Sequence, residues 1–299
     1  IKEILRKEPE DESLEYWANK ILGTGKTIKE KKPGTIWRLF QQNREKLMEY
    51  NVTDARLTRD IDLTLRATQF RVTEAMYAKV LYEHTGKLEW RKDKKKNKWV
   101  KAQVGGKNII VENLTLRKAR EDSPIFVCRT KSRNAMYEQH KTNEKKGSLT
   151  FFPKPGLHKN VTYLDFSSLY PSIMLTFNIG FETLVTEDTD DPSLIKTPVA
   201  SFYPKPRSIF CRIITDLMAL RNFLKRKMKQ FPESSNMYKS LEAKQYALKV
   251  IMNSITGVTG HEYSRFFNPV LFNSVTGTAR WITSRAASIV KDLGFEVIY

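Results

Sequence analysis

The chain of 299 residues contains little cysteine and no long apolar segment. Its two cysteines, Cys128 and Cys211, are not spaced as CxxC, which argues against a disulfide framework or a zinc site and indicates buried thiols. No apolar run approaches the roughly 20 residues that a membrane span requires. The first residues are typical of a charged helix entered midway, not of a secretion signal. We therefore expect an intracellular protein with no membrane partner, in the cytoplasm or nucleoid, or in the nucleus of a eukaryotic or nuclear-viral source.

Acidic residues are scarce relative to basic ones. Lysine and arginine together number 52, against 33 aspartates and glutamates, so the formal net charge is +19. So large an excess indicates a polyanionic partner, with nucleic acid first and an anionic membrane surface second. A basic run lies between Trp90 and Trp99. It fits a nucleic-acid contact with aromatic stacking, although the solvated tip of a hairpin is the better explanation of such a charge run.

The most informative stretch is residues 161–173, VTYLDFSSLYPSI. Its β-branched and aromatic start predicts a buried strand. Two serines and Pro171 follow, as is typical of the first turn of a helix. Asp165 is thereby predicted at the end of a strand, beside unpaired backbone N–H groups. A hard oxygen ligand for Mg²⁺ next to amides that hold phosphate is what nucleotidyl transfer requires.

A second pattern, over residues 213–258, predicts a helical hairpin. Its first arm carries an apolar stripe at helical spacing: Ile213, Leu217, Leu220, Leu224 and Met228. Arg221 and Lys225 share the adjoining face, and Lys249 and Asn253 share a face of the second arm. Three cations on two packed helices suit a triphosphate, but on spacing alone a solvated basic face is the better explanation.

The segments before residue 120 and the last five residues carry weaker signals. Residues 1 to about 75 read as helical, and within them Tyr50 and Asp54 lie four apart on one helix face. A phenol that positions water beside a metal-binding carboxylate suits phosphodiester hydrolysis, although this pair alone is a weak signal. The run from Val104 to Val111 predicts a turn followed by a strand. A further strand is predicted from Phe295 to Tyr299.

These motifs together resemble those of the family B DNA polymerases. The segment Asp165–Ile173 is similar to motif A of that family, and Lys249-x-x-x-Asn253-Ser-x-x-Gly257 is similar to motif B. Tyr50-x-x-x-Asp54 resembles the third motif of the 3′→5′ exonuclease. The resemblance implies an α+β fold, with a palm of antiparallel sheet and helices and with helical-hairpin fingers. The C-terminal part of an RNase H-like exonuclease domain would precede them.

The same resemblance implies four regions. They are the end of the exonuclease domain (1–75), the first part of the palm with motif A (76–212), the fingers with motif B (213–258) and the continuing palm (259–299). It also implies a role for each motif residue in adding dNTPs to a primer on template DNA. Those assigned to the nucleotide are Phe166, Ser168, Leu169, Tyr170, Arg221, Lys225, Lys249 and Asn253. Those assigned to catalysis or metal binding are Asp165 and Phe166 with two Mg²⁺ ions, Lys249 as a general acid, and Tyr50 and Asp54 in the exonuclease.

Two departures from the family pattern bear on this expectation. The family normally has a tyrosine where this chain has Thr256, which puts base-pair fidelity or nucleotide discrimination in doubt. The second catalytic aspartate of the family belongs to motif C, which we expect beyond Tyr299. We therefore expect an incomplete polypeptide or a subunit of a split polymerase, inactive without a second chain that carries motif C and the thumb. The alternative is a catalytically silent module that binds nucleic acid and nucleotide.

Overall fold

The computed structural model describes residues 13–25, 34–81, 87–93, 98–104, 106–122, 147–187, 191–262 and 264–298, together with positions 4, 85 and 189. In the two strands between 87 and 104 only the backbone course is described. Cys128 and the run between the strands at 94–97 lie outside the described residues. Within this part of the chain, helices dominate and two small antiparallel sheets accompany them, which confirms the α+β class.

The N-terminal helices are α1 (Leu14–Leu22), α2 (Thr35–Gln42), α3 (Arg44–Leu65) and α4 (Ala67–Ala78). Helix α1 starts where it does because the side chain of Ser13 accepts a hydrogen bond from the backbone N–H of Tyr16, at 3.2 Å. The α1 and α3 helices share a small core in which Trp17 packs with Leu57 and Ile61. The prediction of helices in this region is confirmed.

A hairpin of β1 (Lys87–Asp93) and β2 (Lys98–Val104) follows, and then helix α5 (Lys107–Asp122). The prediction of a turn followed by a strand within 104–111 was therefore wrong, because the strand ends at Val104 and residues 107–111 are helical. Ile110 and Val111 are fully buried, but they belong to a helix whose pattern continues to Thr115 and Ala119, both buried as well. A short apolar run fits a buried helix as well as a buried strand, and only the later residues distinguish the two.

The strand predicted at residues 161–165 is also absent from the structure. Within the described part of the chain, the backbone at 161–165 has no strand partner, and Tyr163 and Leu164 remain 84% and 78% exposed. The residues that follow do form the predicted helix, α6 (Leu169–Phe177). Residues 295–298 likewise form no strand, although the N–H of Lys154 donates to the carbonyl of Ile298 at 3.0 Å. Apolar alternation reports side-chain character, whereas a strand also needs a neighbouring backbone to pair with.

The predicted helical hairpin is present. It consists of α7 (Ile209–Met228) and α8 (Asn236–Gly260), preceded by the short strands β3 (Ile195–Lys196) and β4 (Ser201–Phe202). The two helices pack against each other, and their buried faces form most of the main core. The last described helix is α9 (Pro269–Asp292). Asn268 caps it, because its side chain accepts hydrogen bonds from the backbone N–H groups of Val270 and Leu271 in the first turn. It packs against α6 and α8.

Helix α4 joins this core through the ring of Phe70, whose centroid lies 5.7 Å from that of Tyr246 on α8. The fully buried carboxylate of Glu74 binds Arg71 and Lys107, which ties α4 to the start of α5. A buried carboxylate needs such partners because burial otherwise penalises its charge heavily. Among the described residues, none of the helices combines the length and the apolar character that crossing a membrane requires.

Candidate active site

The segment around Asp165 leads directly into the N-terminus of α6. Ser168 precedes the helix in a left-handed conformation with φ at +53°, and its side chain makes no capping hydrogen bond within the described part of the chain. The first N–H groups of a helix have no partner inside it, and they attract anions together with the helix dipole. Pro171 sits in this first turn, where its missing N–H costs no helical hydrogen bond.

Asp165 lies three residues before Ser168, and its side chain is exposed. Carboxylate and backbone carbonyl oxygens are the ligands that Mg²⁺ prefers, so Asp165 and Phe166 have the right chemistry for that ion. Across the described residues, no group of three or more histidines, cysteines, aspartates or glutamates lies close enough to hold a metal. The donor set therefore fits part of a magnesium site.

Of the cations predicted at the hairpin, Arg221 contacts the polar face of α8. The Nε atom of Arg221 donates to Oε1 of Gln245 at 3.1 Å, which joins the polar faces of the two helices. Burial lowers the pKa of Arg221 below the ordinary arginine value. One turn further along their helices, Lys225 is exposed and Lys249 is partly buried, and Asn253 is exposed beyond it.

Helix α6 packs directly on both helices of this hairpin. The thiol of Cys211 on α7 donates to the carbonyl of Met174 at 3.0 Å, and the hydroxyl of Thr256 on α8 donates to the sulfur of Met174 at 3.4 Å. Burial raises the pKa of Cys211, so this thiol keeps the proton that it donates. These links between α6 and the hairpin were not predicted. The sequence signals only where α7 starts, because Ser208 is a residue type favoured just before a helix.

The N-terminal pair lies away from this cluster of helices. Tyr50 and Asp54 are one turn apart on α3, as predicted. Asp54 lines an open cleft of about 740 Å³ between helices α1, α3 and the start of α4. Its other lining residues are Leu14, Ala55, Thr58, Arg59, Asp62 and Thr68. Asp62 already makes a hydrogen bond within the fold, since its carboxylate accepts the backbone N–H of Thr68 at 2.7 Å.

Comparison with known proteins decides the family. The family model for DNA polymerase family B matches residues 97–297. This chain belongs to DNA polymerase family B.

Individual members of the family are similar over different lengths. DNA polymerase 1 of Saccharolobus solfataricus is 29% identical over 301 aligned residues, which cover 96% of this chain and 31% of that protein. DNA polymerase 2 of Aeropyrum pernix is 32% identical over 157 residues, covering 51% of this chain and 20% of that protein. The structure of the family B DNA polymerase from Pyrobaculum calidifontis superimposes with a TM-score of 0.69 at 25% identity, over 99% of this chain and 37% of that one. The matched part of the chain thus spans about a tenth to a third of the length of the curated relatives.

Thr256, where the resemblance to motif B leads us to expect a tyrosine, is turned inward in the structure. Its side chain is 2% exposed and contacts Met174 on α6. A buried threonine in this place cannot form the wall of an open nucleotide pocket. It fills a small space between the motif A helix and the motif B helix, where a tyrosine ring would need room that Met174 now occupies.

We therefore expect Thr256→Tyr to destabilise the fold. Overpacking of this kind typically costs about 1–3 kcal/mol. Adding Met174→Ala should make the tyrosine less costly, with a coupling energy of about 0.5–3 kcal/mol between these contacting positions. Urea unfolding followed by circular dichroism measures both values. Asn253→Tyr, at an exposed position on the same helix, should change the unfolding free energy by no more than about 0.5 kcal/mol. A Thr256→Tyr chain that unfolds at the parental urea concentration would contradict this packing.

Proposed function

We propose that this chain is the nucleotide-binding and catalytic portion of a template-directed DNA polymerase that adds dNTPs to a primer 3′ end. One observation carries the proposal: α6, which follows Asp165, packs on both helices of the hairpin that bears Arg221, Lys225 and Lys249. A metal-binding carboxylate, a helix N-terminus and a set of cations therefore belong to one packed group of elements. In this proposal the fingers are residues 213–258 and the palm is 76–212 with 259–299.

The motif A segment would hold the metal end of the nucleotide. Asp165 and the carbonyl of Phe166 would contribute oxygen ligands to a site for two Mg²⁺ ions. When bound, Mg²⁺ activates the attacking hydroxyl and neutralises charge on the phosphates. Since the described residues contain no cluster of three or more histidines, cysteines, aspartates or glutamates, the other ligands would come from elsewhere, either in the same polypeptide or in a second chain.

The remaining residues would bind the nucleotide itself. The backbone amides of Ser168 and Leu169 would hold phosphate oxygens at the start of α6. Arg221, Lys225 and Lys249 would neutralise the charge that moves towards the leaving pyrophosphate in the transition state.

Two further roles fall to groups that face the same nucleotide. Lys249 would also donate a proton to the departing pyrophosphate. Asn253 would lie near the base of the nucleotide and the backbone beside that base. The net charge of +19 would favour contact with the DNA backbone, independent of base sequence.

Asp165→Asn tests the catalytic role most sharply, because it removes the charge and keeps the shape. In the complete polypeptide that carries residues 1–299, we expect primer extension to fall by at least about a hundredfold, as with the loss of other electrostatic catalytic groups. The affinity for primer–template DNA should stay within about twofold, since phosphate contacts elsewhere provide it. Asp292→Asn, an exposed aspartate at the end of α9, is the matched control and should extend primers at the parental rate. Unchanged extension by Asp165→Asn would remove this residue from the metal site.

A catalytically silent module that binds nucleic acid and nucleotide is the second candidate. It fits the described residues, among which no cluster of three or more histidines, cysteines, aspartates or glutamates lies close enough to hold a metal. The same assay separates the two functions. A parental polypeptide that binds primer–template and dNTP but never extends the primer supports the silent module.

Tyr170 would lie under the deoxyribose and exclude a 2′-hydroxyl. It is in the first turn of α6 and is partly buried against the main core, so its ring is held in place. We expect Tyr170→Ala to admit ribonucleotides, which primer extension with matched dNTP and rNTP concentrations measures. Tyr163→Ala is a suitable control because that ring is 84% exposed. An unaltered preference for dNTPs in Tyr170→Ala would argue against a sugar gate.

Tyr50 and Asp54 would contribute one motif of a 3′→5′ exonuclease site. Residues 1–75 would be the C-terminal part of that exonuclease domain. Asp54 lines the open cleft described above, where a primer terminus would approach it. One carboxylate does not assemble a two-metal site, so further ligands would come from other residues. We expect Asp54→Ala to slow primer degradation in the complete polypeptide, with Asp60→Ala on the same helix as the control. Degradation at the parental rate would show that Asp54 plays no part in it.

A further inference from the structure

Asn178 ends α6 and has no exposed surface. Its backbone is left-handed, with φ at +51°, a conformation that asparagine tolerates better than most residues. Its N–H donates to the carbonyl of Met174, which closes the last turn of the helix. Its own carbonyl accepts the hydroxyl of Thr183 at 2.6 Å. The residue is therefore fixed at both of its backbone groups.

The side chain of Asn178 binds the loop that leads into α7. Its Nδ2 donates to the carbonyls of Tyr203 at 2.8 Å and Pro206 at 2.9 Å, with a longer contact to Pro204 at 3.3 Å. Its Oδ1 accepts the N–H of Ser208 at 2.9 Å. An amide offers donors and an acceptor in one plane, which an acid or a hydroxyl of similar size does not.

The first turn of α7 continues this network. The hydroxyl of Ser208 accepts the N–H of Cys211 at 3.1 Å and donates to the carbonyl of Ile179 at 3.2 Å. The thiol of Cys211 returns to the carbonyl of Met174. Asn178, Ser208 and Cys211 are buried, so a hydrogen bond lost among them is costly because water does not readily replace it, whereas Tyr203, Pro204 and Pro206 lie on the exposed loop. The end of α6 and the start of α7 are thereby held as one unit.

We propose that Asn178 is a positioning residue that fixes the base of the hairpin on the motif A helix. This rests on the proposed function, in which Arg221 and the start of α6 bind one nucleotide. Arg221 lies about 20 Å along α7 from Ser208, at about 1.5 Å per residue. A tilt of about 3° at the base therefore displaces Arg221 by about 1 Å, a misplacement that can reduce catalysis about a hundredfold.

The test is Asn178→Asp, which keeps the shape but sets a carboxylate oxygen against three carbonyl oxygens. Asn160→Asp is the matched control, since Asn160 is also left-handed, with φ at +56°, but exposed. Binding of fluorescent mant-dATP with Mg²⁺ and a primer–template duplex is titrated for both variants. We expect Asn178→Asp to bind mant-dATP at least about tenfold more weakly. It should keep its DNA affinity within about twofold, whereas Asn160→Asp should match the parent.

Hydrogen exchange provides a second readout that needs no nucleotide. We expect Asn178→Asp to exchange faster in the peptide spanning residues 203–212, with little change over 241–252 in the middle of α8. Asn178→Gly, which keeps the left-handed backbone and loses only the side chain, should show the same local effect if the aspartate variant fails to fold.

The outcomes separate the two proposals. Parental mant-dATP affinity in both Asn178 variants, or unchanged exchange over 203–212, would overturn the positioning role alone. A parental chain that does not bind mant-dATP would overturn the proposed function and, with it, this inference.

Discussion

The structure depends on the packing of one short helix, α6, against both legs of a helical hairpin. Met174 is the point of contact: its carbonyl accepts the thiol of Cys211 on α7, and its sulfur accepts the hydroxyl of Thr256 on α8. Met174 has no exposed surface, and neither have Ile214 or Leu248 in the surrounding core. Interiors packed this closely transmit small shifts between neighbouring elements. The loop at Asp165 is therefore joined through α6 to the helices that carry the cations.

The hairpin helices were predictable because their patterns are long. The apolar stripe of α7 repeats at helical spacing over about four turns, a length over which the helical period is distinct. Three strand predictions failed, at 104–111, 161–165 and 295–298, and the first two illustrate different physical reasons. The run ending at Val111 was too short to separate strand from helix. The run at 161–165 has strand composition, but in the described part of the chain no other strand lies beside it. A local sequence pattern does not reveal whether another strand lies beside the segment.

The residue types of the candidate site were also predictable, since the motifs place Asp165, Arg221 and Lys249 in order along the chain. Their supporting contacts were not. The bond from Arg221 to Gln245 spans 24 residues, and the bond from Asn178 Oδ1 to Ser208 spans 30. Such bonds depend on how the elements pack, which the spacing within one element does not reveal. The inward position of Thr256 belongs to the same class, because its surroundings come from α6.

The central claim is that motif A and the hairpin bind a single nucleotide, and lysine acetylation tests it directly. The chain is acetylated with sulfo-NHS-acetate, with and without dATP, Mg²⁺ and a primer–template duplex, and each lysine is quantified by mass spectrometry. The account predicts that dATP slows acetylation of Lys225 and Lys249 beyond any effect of the duplex alone, while exposed Lys20 and Lys291 react at unchanged rates. Equal acetylation of Lys225 and Lys249 with and without dATP would contradict it.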